Sequence, residues 1–356
     1  MVDRVSELTG QNMKKLILKS NPIELWRFEN MQFSVFTTEI ALYFDFKERY
    51  GIEPDLIAGH SVGEYAGLVC AGYLTLENAV KILKKRAELV NSVIRKHIGH
   101  MTVVENTNRY IIDNILASFD SVYLSLENSP NQFAISGKED EIDQVEELLT
   151  EKGAKTSPLF SSPPIHSPLM TEVQNNFKKF LKNISFTNGE IPFISNVTGK
   201  LLQSTDMLSD VMSNQLVKTV KWRSEMQYMD LKKFDLILEI SGKRLLSVID
   251  ESNFLLDERM LHMCYGVNQE RKLLETELQL NGYESPSNLQ GYVRMLFATL
   301  PNKSGFNQVC EIPEIHSATD ITSGRILKTI EMQKVISAED KSHIQTKLVE
   351  YLQYKE

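Results

Sequence analysis

Residues 56–72 read LIAGHSVGEYAGLVCAG. The apolar run Leu56-Ile57-Ala58 follows the turn-favouring pair Pro54-Asp55 and suits a short, buried parallel strand. It leads directly into Gly59-His60-Ser61-Val62-Gly63 and then into EYAGLVCAG, a helix of small residues that can pack closely on a sheet. A strand, a glycine-flanked serine and a helix in one short window predict a nucleophile elbow. The flanking glycines remove Cβ atoms that would clash in so sharp a turn. The start of the helix directs N–H groups and partial positive charge at the serine hydroxyl. The Val62 N–H is then placed to donate to a developing oxyanion. A serine at a helix start also fits an ordinary cap, so the rest of the chain must decide between the two readings.

Working outward, residues 33–50 predict a largely buried helix that stops at Gly51. Residues 77–98 predict a long charged helix. The texture changes over residues 101–160, where MTVV, VYLSLEN, QFAISG and KTSPLF read as strands with two helical stretches between them. This β-α-β-β-α-β order is that of a ferredoxin-like unit. A helix at LMTEVQNNFKKFLKN, the segments IPFISNVTG and SNQLVKTVKW, and a strand FDLILEI resume the larger unit. The fold class is therefore α/β: a parallel-sheet, α/β-hydrolase-like core (residues 1–100 and 161–256) with an inserted ferredoxin-like subdomain (101–160). Residues 257–356 form a C-terminal extension holding NGYESPSNLQG and a charged terminal helix.

The chain has 356 residues, 42% of them hydrophobic and 24% charged, enough for about two domains. Lys and Arg number 39 against 47 Asp and Glu, a net charge of −8. That balance supplies no broad field for nucleic acid or an anionic membrane, so an anionic ligand needs a local cation. Three cysteines without metal spacing speak against a disulfide framework or a zinc site. The opening MVDRVSELTGQNMKK lacks the apolar core of a secretory signal, and no apolar stretch reaches the ~18 residues of a membrane helix. A cytoplasmic protein is expected.

A serine nucleophile needs a base. Of seven histidines, His60 should diverge from its neighbour Ser61, His97 and His100 read as cations at a helix end, and His343 lies in the exposed terminal helix. His166 follows Pro163-Pro164 in PPIHSPLM, a rigid loop from which a side chain projects accurately. His166 and His262 both remain candidates on these grounds. Arg86, beside Lys84 and Lys85, reads by itself as a solvated helix residue.

Taken together, GHSVGEYAGLVCAG, Arg86 in KKRAELV, IHSPLM and NQLVKTVKW resemble, in order and spacing, the malonyl-CoA:acyl carrier protein transacylases and the acyltransferase domains of polyketide synthases. The resemblance runs from about Val5 to about Asn253. It implies that Ser61 is acylated, that His166 is the general base and then the acid, and that the Val62 N–H lines the oxyanion hole. It further implies that His166 is oriented by a backbone carbonyl near Gln215, and that Arg86 pairs with a malonyl carboxylate, a match for its planar fork. Gln32 falls where the family has a site-lining glutamine. Asn128 and Asn196 match asparagines near the acyl pocket, with capping or turn roles as the alternative. The implied reaction is ping-pong transfer of a malonyl group from malonyl-CoA to the phosphopantetheine thiol of an acyl carrier protein, in fatty acid or polyketide synthesis, without metal or cofactor.

Several features depart from the family pattern. The usual N-terminal apolar strand and Gly-Gln-Gly-x-Gln loop are not recognised, since Gly10-Gln11 lies too close to Ser61. Ile165 stands where malonyl-selective members have Phe, and EISGKRL (239–245) replaces a Gly-Pro-Gly-Lys turn. The tail after Asp257 resembles the extended ends of trans-acting acyltransferases. Other readings are a hydrolase of acyl-carrier thioesters, an esterase using Asp235 and His262, and a non-catalytic carrier-docking module.

Overall fold

The computed structural model describes residues 1–51, 53–159, 162–232, 236–250, 252–253 and 261–265. Residues Met1–His262 form one compact unit, to which the following account refers. The NGYESPSNLQG stretch and the expected terminal helix lie outside the described residues, as does Asp235.

Short helices α1 (Val2–Thr9), α2 (Met13–Lys19) and α3 (Pro22–Leu25) precede the long α4 (Phe28–Tyr50). Asparagine side chains cap two of them: Asn12 accepts from the Lys15 N–H, and Asn21 from the Glu24 N–H. Helix α4 buries Phe33, Phe36, Ile40 and Tyr43 along one side and ends at Gly51 in the left-handed region, φ 64°. It starts a turn earlier than the sequence pattern indicates.

Helix α5 (Gly63–Cys70) follows the serine turn, and α6 (Leu76–Ile94) is capped by the Thr75 hydroxyl, which accepts from the Asn78 N–H. The expected strand at Leu56–Ala58 is reduced to one parallel bridge, Ile57 to Phe193. Its ladder is regular: Ile57 N–H donates to the Pro192 carbonyl at 2.9 Å, and Ile194 N–H to the Ile57 carbonyl at 3.0 Å. Gly67 lets α5 lie flat on this bridge. A Cβ there would meet the Phe193 ring at 2.8 Å and the Ile57 side chain at 3.2 Å.

The inserted unit comprises β1 (Gly99–Glu105), α7 (Arg109–Leu116), β2 (Val122–Glu127), β3 (Gln132–Lys138), α8 (Glu139–Glu151) and β4 (Lys155–Leu159). The sheet order is β2-β3-β1-β4, antiparallel throughout, the ferredoxin-like arrangement. Alternation divides its two faces. Val104, Phe133 and Ile135 meet Ile112 of α7 and Ile142, Val145 and Leu149 of α8 in a separate small core. Met101, Leu126 and Ala134 join the main core instead. One difference follows at the entry to the sheet: α6 ends at Ile94, so His97 sits in a turn and His100 in β1 rather than at a helix end.

Beyond the insert come α9 (Thr171–Leu181), the two-stranded β5 (Ile194–Ser195) and β6 (Lys200–Leu201), α10 (Leu208–Gln215), α11 (Trp222–Lys232), β7 (Leu236–Glu239), α12 (Leu246–Asp250) and β8 (Leu261–Cys264). The main core gathers apolar side chains from α1, α2, α4, α5, α6, α9, α10 and α11. The 239–245 turn is organised by Glu239, whose carboxylate accepts from the Ser241 and Ser247 hydroxyls and from the N–H groups of Leu245, Leu246 and Ser247. Those bonds hold its pKa below the usual carboxylate range against the opposing effect of burial.

Replacing Gly67 by Val is expected to destabilise the protein by about 1–3 kcal/mol, the usual penalty for overpacking a closed core. A urea unfolding curve measures this, and an unchanged midpoint would mean that α5 can lift off Phe193 freely.

Candidate active site

The turn between Ile57 and α5 is tight enough that a Cβ on Gly59 would lie 2.3 Å from the Gly63 carbonyl oxygen. Within it Ser61 adopts φ 52°, a left-handed conformation that serine rarely takes. The Gly63 and Glu64 N–H groups are turned inward to the carbonyls of His60 and Ser61. The Val62 N–H, at the N-terminus of α5, donates to no protein acceptor among the described residues.

His166 reaches the same point from another direction. It follows β4 and the Pro163-Pro164 pair, has its own left-handed φ of 59°, and is 1% exposed. The Ser136 hydroxyl on β3 donates to the Ile165 carbonyl at 2.8 Å, tying the histidine loop to the inserted sheet. Ser61 Oγ lies 2.9 Å from His166 Nε2. On the far side His166 Nδ1 is 2.6 Å from the main-chain carbonyl of Gln215. A carbonyl can only accept, so Nδ1 carries the proton and Nε2 presents its lone pair to the serine hydroxyl. Burial, with the Arg86 cation adding to it, pushes the His166 pKa down to about 3. The imidazole is therefore neutral, as a base must be.

A network of buried amides and acids underlies the serine. The Gln215 side chain donates to the Ser61 carbonyl at 2.9 Å and to Glu64 at 2.5 Å, while its main chain holds His166. Asn196 accepts the Ser61 N–H at 2.9 Å and donates to the Gly59 carbonyl at 2.6 Å and to Glu225 at 3.0 Å. Burial raises the Glu64 pKa to about 7, and burial together with Glu64 raises that of Glu225 well above the carboxylate range.

Arg86 is 1% exposed. Its guanidinium lies 5.3 Å from the Phe28 ring centroid and 5.5 Å from that of Tyr65, and it donates to the Gln32 side-chain oxygen. It forms no ion pair among the described residues, and Arg86 Nε and Gln32 Nε2 are buried without hydrogen-bond partners. A buried cation without an ion-pair partner is costly to desolvate.

The residues singled out from sequence thus fall in two groups. Ser61, His166, Val62 and Gln215 converge at the elbow, and Arg86 meets Gln32 as a buried, hydrogen-bonded pair. Asn128 stands apart. Its amide oxygen meets His60 Nε2 at 2.8 Å and its nitrogen donates to Gln132 at 3.0 Å, so each amide atom already has a protein partner and its immediate effect is to hold His60. His60 is further fixed edge-on to Trp222, 5.3 Å between ring centroids. His262 lies on β8. Sequence reasoning passed over Glu64 and Glu225, which look like ordinary helix charges. The usable signal was their company: Glu64 sits in a run of small, apolar helix residues, and Glu225 follows Trp222 by one turn.

A serine on a tight turn before a helix, beside a neutral histidine held by a carbonyl, has the geometry of a serine nucleophile and its base. Residues 3–251 match the family described as acyl transferase domain, and the chain belongs to that family. It is 31% identical over 254 residues to the malonyl CoA-acyl carrier protein transacylase of Buchnera aphidicola subsp. Schizaphis graminum, covering 70% of this chain and 82% of that one. The protein of the same name from Bacillus subtilis is 30% identical over 252 residues, with 69% and 79% covered. Among solved structures, a type II PKS acyl-carrier protein in complex with its malonyl-transacylase aligns with a TM-score of 0.70 at 25% identity, covering 74% of this chain and 85% of that one.

The tautomer and pKa of His166 set an expectation for pH. The base stays in its working form above its folded-state pKa and is lost only as pH falls toward about 3. Acylation rates measured between about pH 8 and pH 5 should show no acid limb centred near the ordinary histidine value of about 6.5. A limb there would mean that a group other than His166 (Glu64 or a solvated histidine) controls the rate.

Proposed function

We infer that this protein transfers a malonyl group from malonyl-CoA to the phosphopantetheine thiol of an acyl carrier protein through an acyl-serine ester. The observation that carries this reading is Arg86, a fully buried guanidinium that forms no ion pair among the described residues of an acyltransferase-family chain. The malonyl carboxylate supplies the missing counter-charge, held in a fork by Arg86 and bonded by the idle amide N–H groups of Gln32. The names of the relatives above support malonyl as the acyl group and a carrier protein of fatty acid or polyketide synthesis as the acceptor.

With the carboxylate anchored, the thioester carbonyl lies against Ser61. His166 Nε2 takes the hydroxyl proton as Oγ attacks, and the tetrahedral oxyanion accepts from the Val62 N–H. Collapse breaks the C–S bond, and the imidazolium returns its proton to the departing CoA thiolate. In the second half His166 deprotonates the carrier thiol, which attacks the malonyl ester and restores Ser61 Oγ–H. Asn128 enters through His60, which it orients. We place the protein in the cytoplasm, a location supported by a Cys70 that is a thiol rather than half of a disulfide. No helix among the described residues is long and apolar enough to cross a membrane.

Intact-mass spectrometry tests the reading. Wild type should gain one malonyl group from malonyl-CoA and lose it to a phosphopantetheinylated carrier, and Ser61→Ala should gain none. His166→Ala should load more slowly by a factor of about 10²–10⁴, the usual worth of a general base.

Arg86→Ala discriminates further, because acetyl-CoA carries no carboxylate. Breaking a buried charge pair typically costs about 2–5 kcal/mol, so malonyl loading should fall by about 10-fold or more while acetyl loading holds or rises. Equal loss on both substrates would reduce Arg86 to a support for α6.

A further inference from the structure

We propose that Asn196 is a positioning residue, whose side-chain amide holds Ser61 in its left-handed backbone conformation and thereby sets the Oγ–His166 contact. The proposal rests on Ser61 being the acylated residue. Asn196 is wholly buried just beyond β5. Its Oδ1 accepts from the Ser61 N–H at 2.9 Å and its Nδ2 donates to the Gly59 carbonyl at 2.6 Å. Those two main-chain groups flank His60, so one planar amide bridges the sharpest part of the turn. The bridge needs an acceptor and a donor fixed in one plane, which Asn supplies at any pH and an ionised Asp, a Ser or a Thr does not.

The orientation of the amide is itself determined. The second Nδ2 hydrogen goes to Glu225 at 3.0 Å, and Oδ1 also receives the Gln215 side-chain N–H at 3.4 Å. A flipped amide would set donor against donor at Ser61 and acceptor against acceptor at Gly59 and Glu225. The main chain of Asn196 is pinned as well, its N–H donating to Glu64 at 3.0 Å and its carbonyl accepting from Lys221 N–H at 2.9 Å. All these contacts are within the protein, so Asn196 acts through Ser61 and not on the acyl group. Without the amide, the Ser61 N–H and Gly59 carbonyl lose their partners in a dry site and the strained φ of 52° is free to relax.

The test compares full-length Asn196→Ala with wild type in two single-turnover assays. One reads malonyl loading by intact mass. The other reads labelling by a small fluorophosphonate, which reports on Ser61 without malonyl-CoA. Both rates should fall by about 10²-fold, the effect of an ångström-scale misplacement. The half-saturating malonyl-CoA concentration should stay unchanged, since the Arg86 pocket is untouched. Loss of malonyl loading with fluorophosphonate labelling intact would overturn the proposal in favour of a binding role. A wild type that takes the fluorophosphonate but never malonyl would sink the transfer reading alone.

Asn196→Asp keeps the side-chain shape and answers if the alanine variant does not fold. Its carboxylate would face the Gly59 carbonyl, Glu64 on α5 and Glu225 on α11, with Asp250 beyond Glu225 and Arg86 beyond Glu64. Protonation returns a donor to the bridge, and the neutral His166 is insensitive to pH over this range. The rate of Asn196→Asp relative to wild type should therefore rise about tenfold between pH 8 and about pH 5.5. A ratio as low as that of the alanine variant at both pH values, or an alanine variant acylated within about threefold of wild type, would overturn the proposal.

Discussion

The active site depends on holding Ser61 in a backbone conformation that serine resists. A residue with a side chain at φ 52° costs on the order of 1–3 kcal/mol, and glycine, which would relieve that strain, has no hydroxyl. The surrounding structure therefore fastens the residue at both ends. Asn196 holds its N–H and Gln215 its carbonyl. The turn can close only because Gly59 brings no Cβ against the Gly63 carbonyl. From there the requirement spreads outward: α5 must begin at Gly63, and Gly67 must let it lie on Ile57 and Phe193, whose continuation carries Asn196.

Charge is arranged around the same point with little waste. Behind the serine, Glu64 accepts from the Asn196 main-chain N–H and Glu225 from its side-chain amide in a site too dry for two free carboxylates, and burial raises the pKa of both. Ahead of it stands Arg86, a cation in a chain of net charge −8. His166 is oriented by a carbonyl, not a carboxylate. A carbonyl fixes the tautomer as well as an acid would, but it stabilises the imidazolium less. For the proposed thioester substrate that suffices, because a thiolate whose thiol has a pKa of about 8.5 is a far easier leaving group than an alkoxide.

How much of this could be read beforehand follows from what each feature requires. The elbow was readable because its demands are local: small residues, a serine and a helix start, all within a few positions. The inserted sheet was readable because four alternating strands and two amphipathic helices carry their own periodicity. Arg86 was misleading by itself, since its neighbours are lysines. Yet it falls in line with Ala79, Leu83 and Val90 on the buried face of α6, and that spacing was the available sign. Gln32 likewise shares a face with Phe28 and Phe36. The amide–acid network was not accessible in this way. Asn196, Gln215 and Glu225 lie on three separate segments, and nothing in their local patterns marks them as meeting beneath one serine. The Leu56–Ala58 run predicted a short parallel strand, and among the described residues its pairing is a single bridge, because apolar character marks burial and leaves the extent of the ladder undetermined.

The inserted subdomain has a structural part in the dyad that its position in the chain disguises. Its sheet runs β2-β3-β1-β4. The segment leaving β4, at one edge, becomes the loop of His166, and Ser136 on β3 steadies that loop through the Ile165 carbonyl. At the opposite edge, β2 receives the segment just after α10. Leu126 bridges Val220 in parallel, with Val220 N–H donating to the Ser125 carbonyl at 2.9 Å and Glu127 N–H to the Val220 carbonyl at 3.0 Å. That segment begins at Gln215, whose carbonyl orients His166. The base and the group that fixes its tautomer are thus both referenced to one four-stranded sheet, one at each edge. Ser61 belongs to the surrounding core, and the second purpose of Gln215, through its side chain, is to join the two. The 2.9 Å contact between Ser61 and His166 is the distance at which a loop anchored on the sheet and a turn anchored on a helix meet across one shared core, and the Gln215 side chain and main chain bond to both sides of it.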